Sequence, residues 1–226
     1  MKLPCPRFLA LGLLLLTSLQ AGTRETAFQA RERLGAAVWS RVVRIQNESP
    51  GAGSRYPAEF HGLLVAFQGI LWFYTEFDGT QTLSRYAGRL EQDQANPASL
   101  LREVEPGLAL VEDVTDRPPE KIAPGLPPYA CFIASVARWQ QLQREAAAPT
   151  RARLLAYYPD GARQGHMVLE YWRGGRRYVF DAERPGRDRE MSRHLADDPL
   201  KVAQVLFKKG APHRLIRTMH LDLRGA

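Results

Sequence analysis

Gly165-His166-Met167-Val168-Leu169-Glu170-Tyr171-Trp172, then Arg173-Gly174-Gly175-Arg176, then Arg177-Tyr178-Val179-Phe180-Asp181-Ala182, reads as strand, turn and returning strand. A two-residue Gly-Gly turn between β-prone runs is a hairpin signal, because glycine alone takes the positive φ of such turns freely. That turn fixes the register: Arg173 faces Arg176, Tyr171 faces Tyr178, Leu169 faces Phe180 and Val168 faces Asp181. His166 then falls opposite Glu183. His166 and Asp181 project from one face as diagonal neighbours, about 7–8 Å apart at the backbone, which long side chains bridge. A slip of one residue would separate them onto opposite faces. Met167, Leu169, Tyr171, Tyr178 and Phe180 form an apolar set on the other face, suited to burial.

Working outward, Pro127-Pro128-Tyr129-Ala130-Cys131 leads into Phe132-Ile133-Ala134-Ser135-Val136-Ala137-Arg138-Trp139-Gln140-Gln141-Leu142. Phe132, Val136 and Trp139 recur at helical spacing, and proline favours a first turn, so a helix is expected from near Pro128. Cys131 then lies in that first turn, where unpaired N–H groups and the helix dipole favour negative charge. Such placement favours the thiolate, which is the attacking species of a cysteine nucleophile, and the same N-terminus offers a backbone N–H to an oxyanion. His166 is the expected general base. Asp181 is the expected orienting acid, with Glu183 as its rival.

The N-terminus carries Lys2 and Arg7, the apolar run Phe8 to Leu16, and small or polar residues to Ala21-Gly22. This is the pattern of a secretory signal over residues 1–22, and it places the chain in a secreted or periplasmic compartment. A retained anchor is the alternative. No later stretch is long and apolar enough for a transmembrane helix. Cys5 leaves with the signal, so Cys131 is then a lone thiol in an oxidising compartment. A buried structural cysteine is the plain alternative to a nucleophile.

The full chain has 226 residues and a formal charge of +7, and loss of residues 1–22 leaves +5. The arginines form no tract interleaved with aromatics, so no nucleic-acid partner is expected. His194, His213 and His220 lack ligand-like spacing with a cysteine, so neither metal nor cofactor is expected.

Two halves follow, joined through the proline-rich stretch Arg117 to Pro128, an extended linker or a loop wrapping the second half. Residues 23–118 form an N-terminal α+β region of unassigned role. It should contain a helix from about Glu25 to Val43, a loop over 47–57, and a hairpin of Leu63–Phe67 and Ile70–Tyr74 about Gln68-Gly69. A third strand is expected near Thr80–Leu83, and a helix near Pro97–Glu103 capped by Asn96. His61 receives no role. Beyond the hairpin of the second half, Asp198 caps a helix through Phe207 that closes at Lys208-Lys209-Gly210, and a last strand runs from His213 to Leu223.

Cys131, His166 and Asp181, with spacings of 35 and 15 residues, resemble the transglutaminase-like superfamily, and the size of the chain is similar to the bacterial transglutaminase-like cysteine proteinases. The resemblance covers roughly residues 120–185. It implies an α+β, papain-like core over residues 119–226, with the cysteine-bearing helix packed on an antiparallel sheet. It also implies acyl transfer through a Cys131 thioester. Hydrolysis of a peptide or amide bond in a protein or peptide substrate of the cell envelope is the favoured outcome, and protein crosslinking by an amine acceptor is the alternative. Where those proteinases surround the cysteine with acidic residues, Tyr129, Ala130, Phe132 and Ile133 stand here, so no calcium site is expected. A non-catalytic envelope-binding module that keeps the fold is the reading from another class. An enzyme held inactive by residues 23–118 is a third.

Overall fold

The computed structural model describes residues 22–51, 53–83, 96–159, 165–184, 188–195, 197–206 and 213–222. Residues 1–21 of the expected signal and the expected Lys208-Lys209-Gly210 helix end lie outside them. The described residues form four helices and two five-stranded sheets whose strand pairs are all antiparallel, an α+β architecture. The chain divides into two compact units, residues 1–32 with 38–129 and residues 33–37 with 130–226.

α1 (residues 22–34) starts in the first unit, with residues 33–34 counted in the second, and ends one residue before Gly35, whose φ of 72° takes the left-handed conformation that terminates helices. The helix expected to reach Val43 therefore stops short. β1 (Ser40–Asn47) follows, because Val42, Val43 and Ile45 are β-branched and bury between two partner strands. The sheet runs β4 (Gly79–Thr82), β3 (Ile70–Thr75), β2 (Glu59–Phe67), β1, β5 (Leu108–Asp113). The expected Gln68-Gly69 hairpin is present, with φ of 51° and 69° at the two turn residues. β1 and β5 have no counterpart in the sequence reading.

α2 (Pro97–Val104) begins as expected, with the Asn96 side chain accepting from the Ser99 N–H. Its Leu100 and Leu101 pack with Phe60, Leu64, Leu71 and Phe73 into the core of this unit. The proline-rich stretch packs within this unit: Ala123 N–H donates to Glu25, and the Tyr74 hydroxyl donates to the Pro128 carbonyl at 2.7 Å.

The second unit carries α3 (Cys131–Arg144), β6 (Arg151–Pro159), β7 (His166–Arg173), β8 (Arg176–Phe180), β9 (Arg189–Glu190), α4 (Pro199–Leu206) and β10 (His213–His220). Its strand order is β10-β6-β7-β8-β9. Gly174 and Gly175, with φ of 57° and 71°, form the turn, and Arg173↔Arg176, Tyr171↔Tyr178 and Leu169↔Phe180 pair as the hairpin reading requires. The ladder ends at Leu169–Phe180, so Asp181 lies one residue beyond it.

Both faces of this sheet are covered. Val202, Ala203 and Leu206 of α4 pack with Leu155, Tyr157, Val168 and Val179, while α3 packs against β7. Of the apolar set expected to be suited to burial, Leu169 and Tyr171 are buried and Met167, Tyr178 and Phe180 half-buried, while Val168, Glu170 and Val179 of the other face are buried as well. The physical reason is α4, which adds a second apolar layer.

Candidate active site

α3 begins at Cys131 rather than near Pro128. Tyr129 has a φ of 53°, a left-handed conformation that no helical turn accommodates. Cys131 is thereby the first helical residue, with Ala130 as its N-cap. Alanine has no side-chain acceptor to cap the first-turn N–H groups, and no side-chain cap forms. Phe132, Ile133, Val136, Trp139 and Leu142 are buried and fix the helix. Cys131 itself is half-exposed and free of any disulfide.

His166 is the first residue of β7 and is 8% exposed. Its Nε2 lies 2.9 Å from Asp181 Oδ1, and its ring also hydrogen-bonds Cys131. With Nε2 taken by Asp181, Nδ1 is the remaining ring nitrogen, and Glu183 Oε1 lies 3.3 Å from it. All three expected residues thus meet at one place in the second unit.

Asp181 is held from a second side, since the N–H of Glu183 donates to the same Oδ1 at 3.0 Å. An aspartate accepting from the N–H two residues on is an Asx-turn, the feature that ends β8 here. Arg184 reaches Asp181 Oδ2 at 3.7 Å. The sequence reading passed over Arg184; the signal was an arginine three residues beyond an aspartate at a strand end.

Glu183 meets the ring from its exposed side. Its carboxylate lies 3.3 Å from His166 Nδ1 and its side chain is 72% exposed, against 5% for Asp181. It sits on the nitrogen opposite to the one Asp181 holds.

Burial by itself would lower the His166 pKa, since it penalises the charged ring. The hydrogen bonds to Asp181 and Cys131, with the charges of both partners, outweigh that cost and push the pKa up to about 10. Burial would likewise raise the Asp181 carboxyl. The His166 hydrogen bond and charge, the Glu183 N–H and the Arg184 charge outweigh it and hold the carboxyl below its ordinary range. Each partner of the pair thus favours the charged form of the other.

Among the described residues no group of three or more His, Cys, Asp and Glu is arranged to hold a metal ion, and no helix is long and apolar enough to cross a membrane. In the first unit, His61 is buried against Thr23, 3.3 Å from its hydroxyl, and burial with nearby Arg24 lowers its pKa. That is a structural histidine.

No protein-family model, no curated protein and no solved structure matches this chain.

Proposed function

We propose that the chain is a thiol-dependent acyl-transfer enzyme of transglutaminase-like, papain-like type, exported through residues 1–22. The observation that supports this is the imidazole of His166, engaged by Asp181 through Nε2 and hydrogen-bonded to Cys131.

In this reading the Cys131 thiolate attacks the carbonyl carbon of a peptide or amide, paired with the His166 imidazolium. The carbonyl π electrons move to oxygen, and the helix N-terminus, with the N–H of Cys131, is the donor available to that oxyanion. As the C–N bond breaks, His166 gives its proton to the leaving amine and Cys131 is left as a thioester. His166, now neutral, takes a proton from water, which adds to the thioester carbonyl and releases the carboxylic acid and the thiolate. Asp181 stabilises the imidazolium and fixes its tautomer throughout. An amine in place of water would give crosslinking. Hydrolysis is favoured, because water needs no acceptor site.

The test uses the chain lacking residues 1–22, mixed with p-nitrophenyl acetate, quenched in acid and weighed intact. The expected result is one acetyl group on Cys131, removed by hydroxylamine, absent in Cys131→Ala and slow to form in His166→Ala. Equal acetylation rates in the mature chain and His166→Ala would overturn the reading and leave the non-catalytic binding module in its place.

A further inference from the structure

A cleft of about 670 Å³ opens on the second unit beside α3, on the face of the hairpin that carries Tyr171, Tyr178 and Phe180. Four arginines line it: Arg33, Arg138, Arg173 and Arg184. Two are already neutralised. Arg138 bonds Asp188 Oδ2 at 3.1 Å through Nε and Glu145 Oε1 at 3.0 Å through Nη1. Arg173 pairs with the other oxygen of Glu145, and the Tyr171 hydroxyl donates to Asp188.

The other two are not. Arg33 is exposed and has no ion pair among the described residues, and Arg184, 49% exposed, reaches only Asp181 Oδ2 at 3.7 Å. Asp181 itself is committed to His166. Arg33 thus lines the cleft without a counter-charge among the described residues, and Arg184 with one carboxylate that it shares with His166. Between them the half-buried Tyr178 and Phe180 offer apolar surface, with the fully buried Tyr171 ring stacked on Tyr178 at 5.3 Å.

We propose that this cleft binds the carboxylate side chains of an acidic peptide segment, their aliphatic stems lying against Tyr178 and Phe180. Guanidinium–carboxylate pairing is the chemistry the cleft already uses on itself, through Arg138 with Asp188 and Arg173 with Glu145. The half-buried Tyr178 and Phe180 give an aliphatic stem a surface that phosphate, having no stem, does not use, which favours a carboxylate side chain over phosphate. The binding stands on the cleft alone and does not need the acyl-transfer reading. If that reading holds, α3 relates the two places: Ala137 and Gln141 of the cleft lie six and ten residues after Cys131, about 9–15 Å along the helix axis. An extended peptide covers that distance in about three to five residues.

The experiment is fluorescence anisotropy with a dye-labelled eight-residue peptide of alternating Glu and Ala, and its Gln–Ala counterpart. The protein is the mature chain carrying Cys131→Ala, so that nothing is turned over. The expected result is saturable binding of the Glu peptide, at least about tenfold tighter than the Gln peptide. Arg33→Glu should weaken it about tenfold and Arg33→Glu with Arg184→Gln should abolish it, whereas Arg102→Glu, on α2 of the first unit and not a lining residue of the cleft, should leave it within about twofold. Equal binding of the two peptides would overturn the proposal. So would an Arg102→Glu loss as large as that of Arg33→Glu, which would mean attraction by net charge alone. Inorganic phosphate displacing the peptide at equal concentration would overturn the choice of an acidic peptide in favour of a general anion site.

Discussion

His166 Nε2 and Asp181 Oδ1 lie 2.9 Å apart, 15 residues distant in sequence, with Asp181 one residue past the end of the strand that pairs with β7. Leaving the ladder matters. An extended strand would carry the Glu183 N–H away from Asp181. Beyond the ladder the chain turns, so that Oδ1 accepts from the Glu183 N–H as well as meeting His166.

The first prediction concerns thiol reactivity. If His166 supports the Cys131 thiolate, His166→Ala slows iodoacetamide alkylation at pH 7 by about 100-fold, the size of a general acid–base contribution. Mass spectrometry of the alkylated chain over time measures it. An unchanged rate would mean that the two side chains are neighbours without a working relationship.

The second separates the two carboxylates. Asp181→Asn keeps the shape and loses the charge, and activity should fall by about 10⁴, as when an orienting acid presents the wrong tautomer. Glu183→Gln should change it by less than about threefold, because a side chain that is 72% exposed is screened by water. Turnover of p-nitrophenyl acetate by each variant gives the comparison, and a larger effect at Glu183 would reverse the assignment.

The third is a pH dependence. The folded pKa of His166, about 10, stands above its unfolded value near 6.5. Its contribution to stability is therefore complete below about pH 6.5 and is lost as pH rises from there through about 10. Urea midpoints should fall over that window in the wild type and stay flatter in His166→Gln. NMR titration of the ring should find it protonated at pH 7, and Asp181→Asn should lower its pKa.

The fourth concerns a buried ion triad. Glu170 is fully buried between Arg153 and Arg177, each paired through its Nε with one carboxylate oxygen. Trp172 lies under both guanidiniums, with ring centroids at 5.3 and 5.5 Å. Glu170→Gln leaves buried Arg177 without its counter-charge and Arg153 with only the half-exposed Asp197, 2.7 Å from its Nη2, and should cost about 3–5 kcal/mol in urea unfolding. Arg153→Met, Glu170→Leu and Arg177→Met combined should cost less than Glu170→Gln alone, since no charge is then left stranded. A loss below about 1 kcal/mol for Glu170→Gln would show that water reaches the triad.

What the sequence by itself determined is local. Gly174-Gly175 can form a two-residue turn because glycine tolerates positive φ twice in succession, and that turn alone sets the pairing of Tyr171 with Tyr178 and Leu169 with Phe180. Asn96 before Pro97 and Asp198 before Pro199 mark their helices in the same way, through side chains that bond the nearby N–H groups of Ser99 and Leu200. Through the hairpin register the sequence also placed His166 and Asp181 on one face. Only the tertiary structure decided the rest. β1 was read as the end of a helix because Val42, Val43 and Ile45 show their strand character only when β2 and β5 bury them on either side. The start of α3 depends on Tyr129 holding a left-handed φ, which no residue type announces. The choice of Asp181 over Glu183 rests on burial, 5% against 72% side-chain exposure, and burial depends on the packing of the whole unit, which neighbouring residues in the chain do not encode.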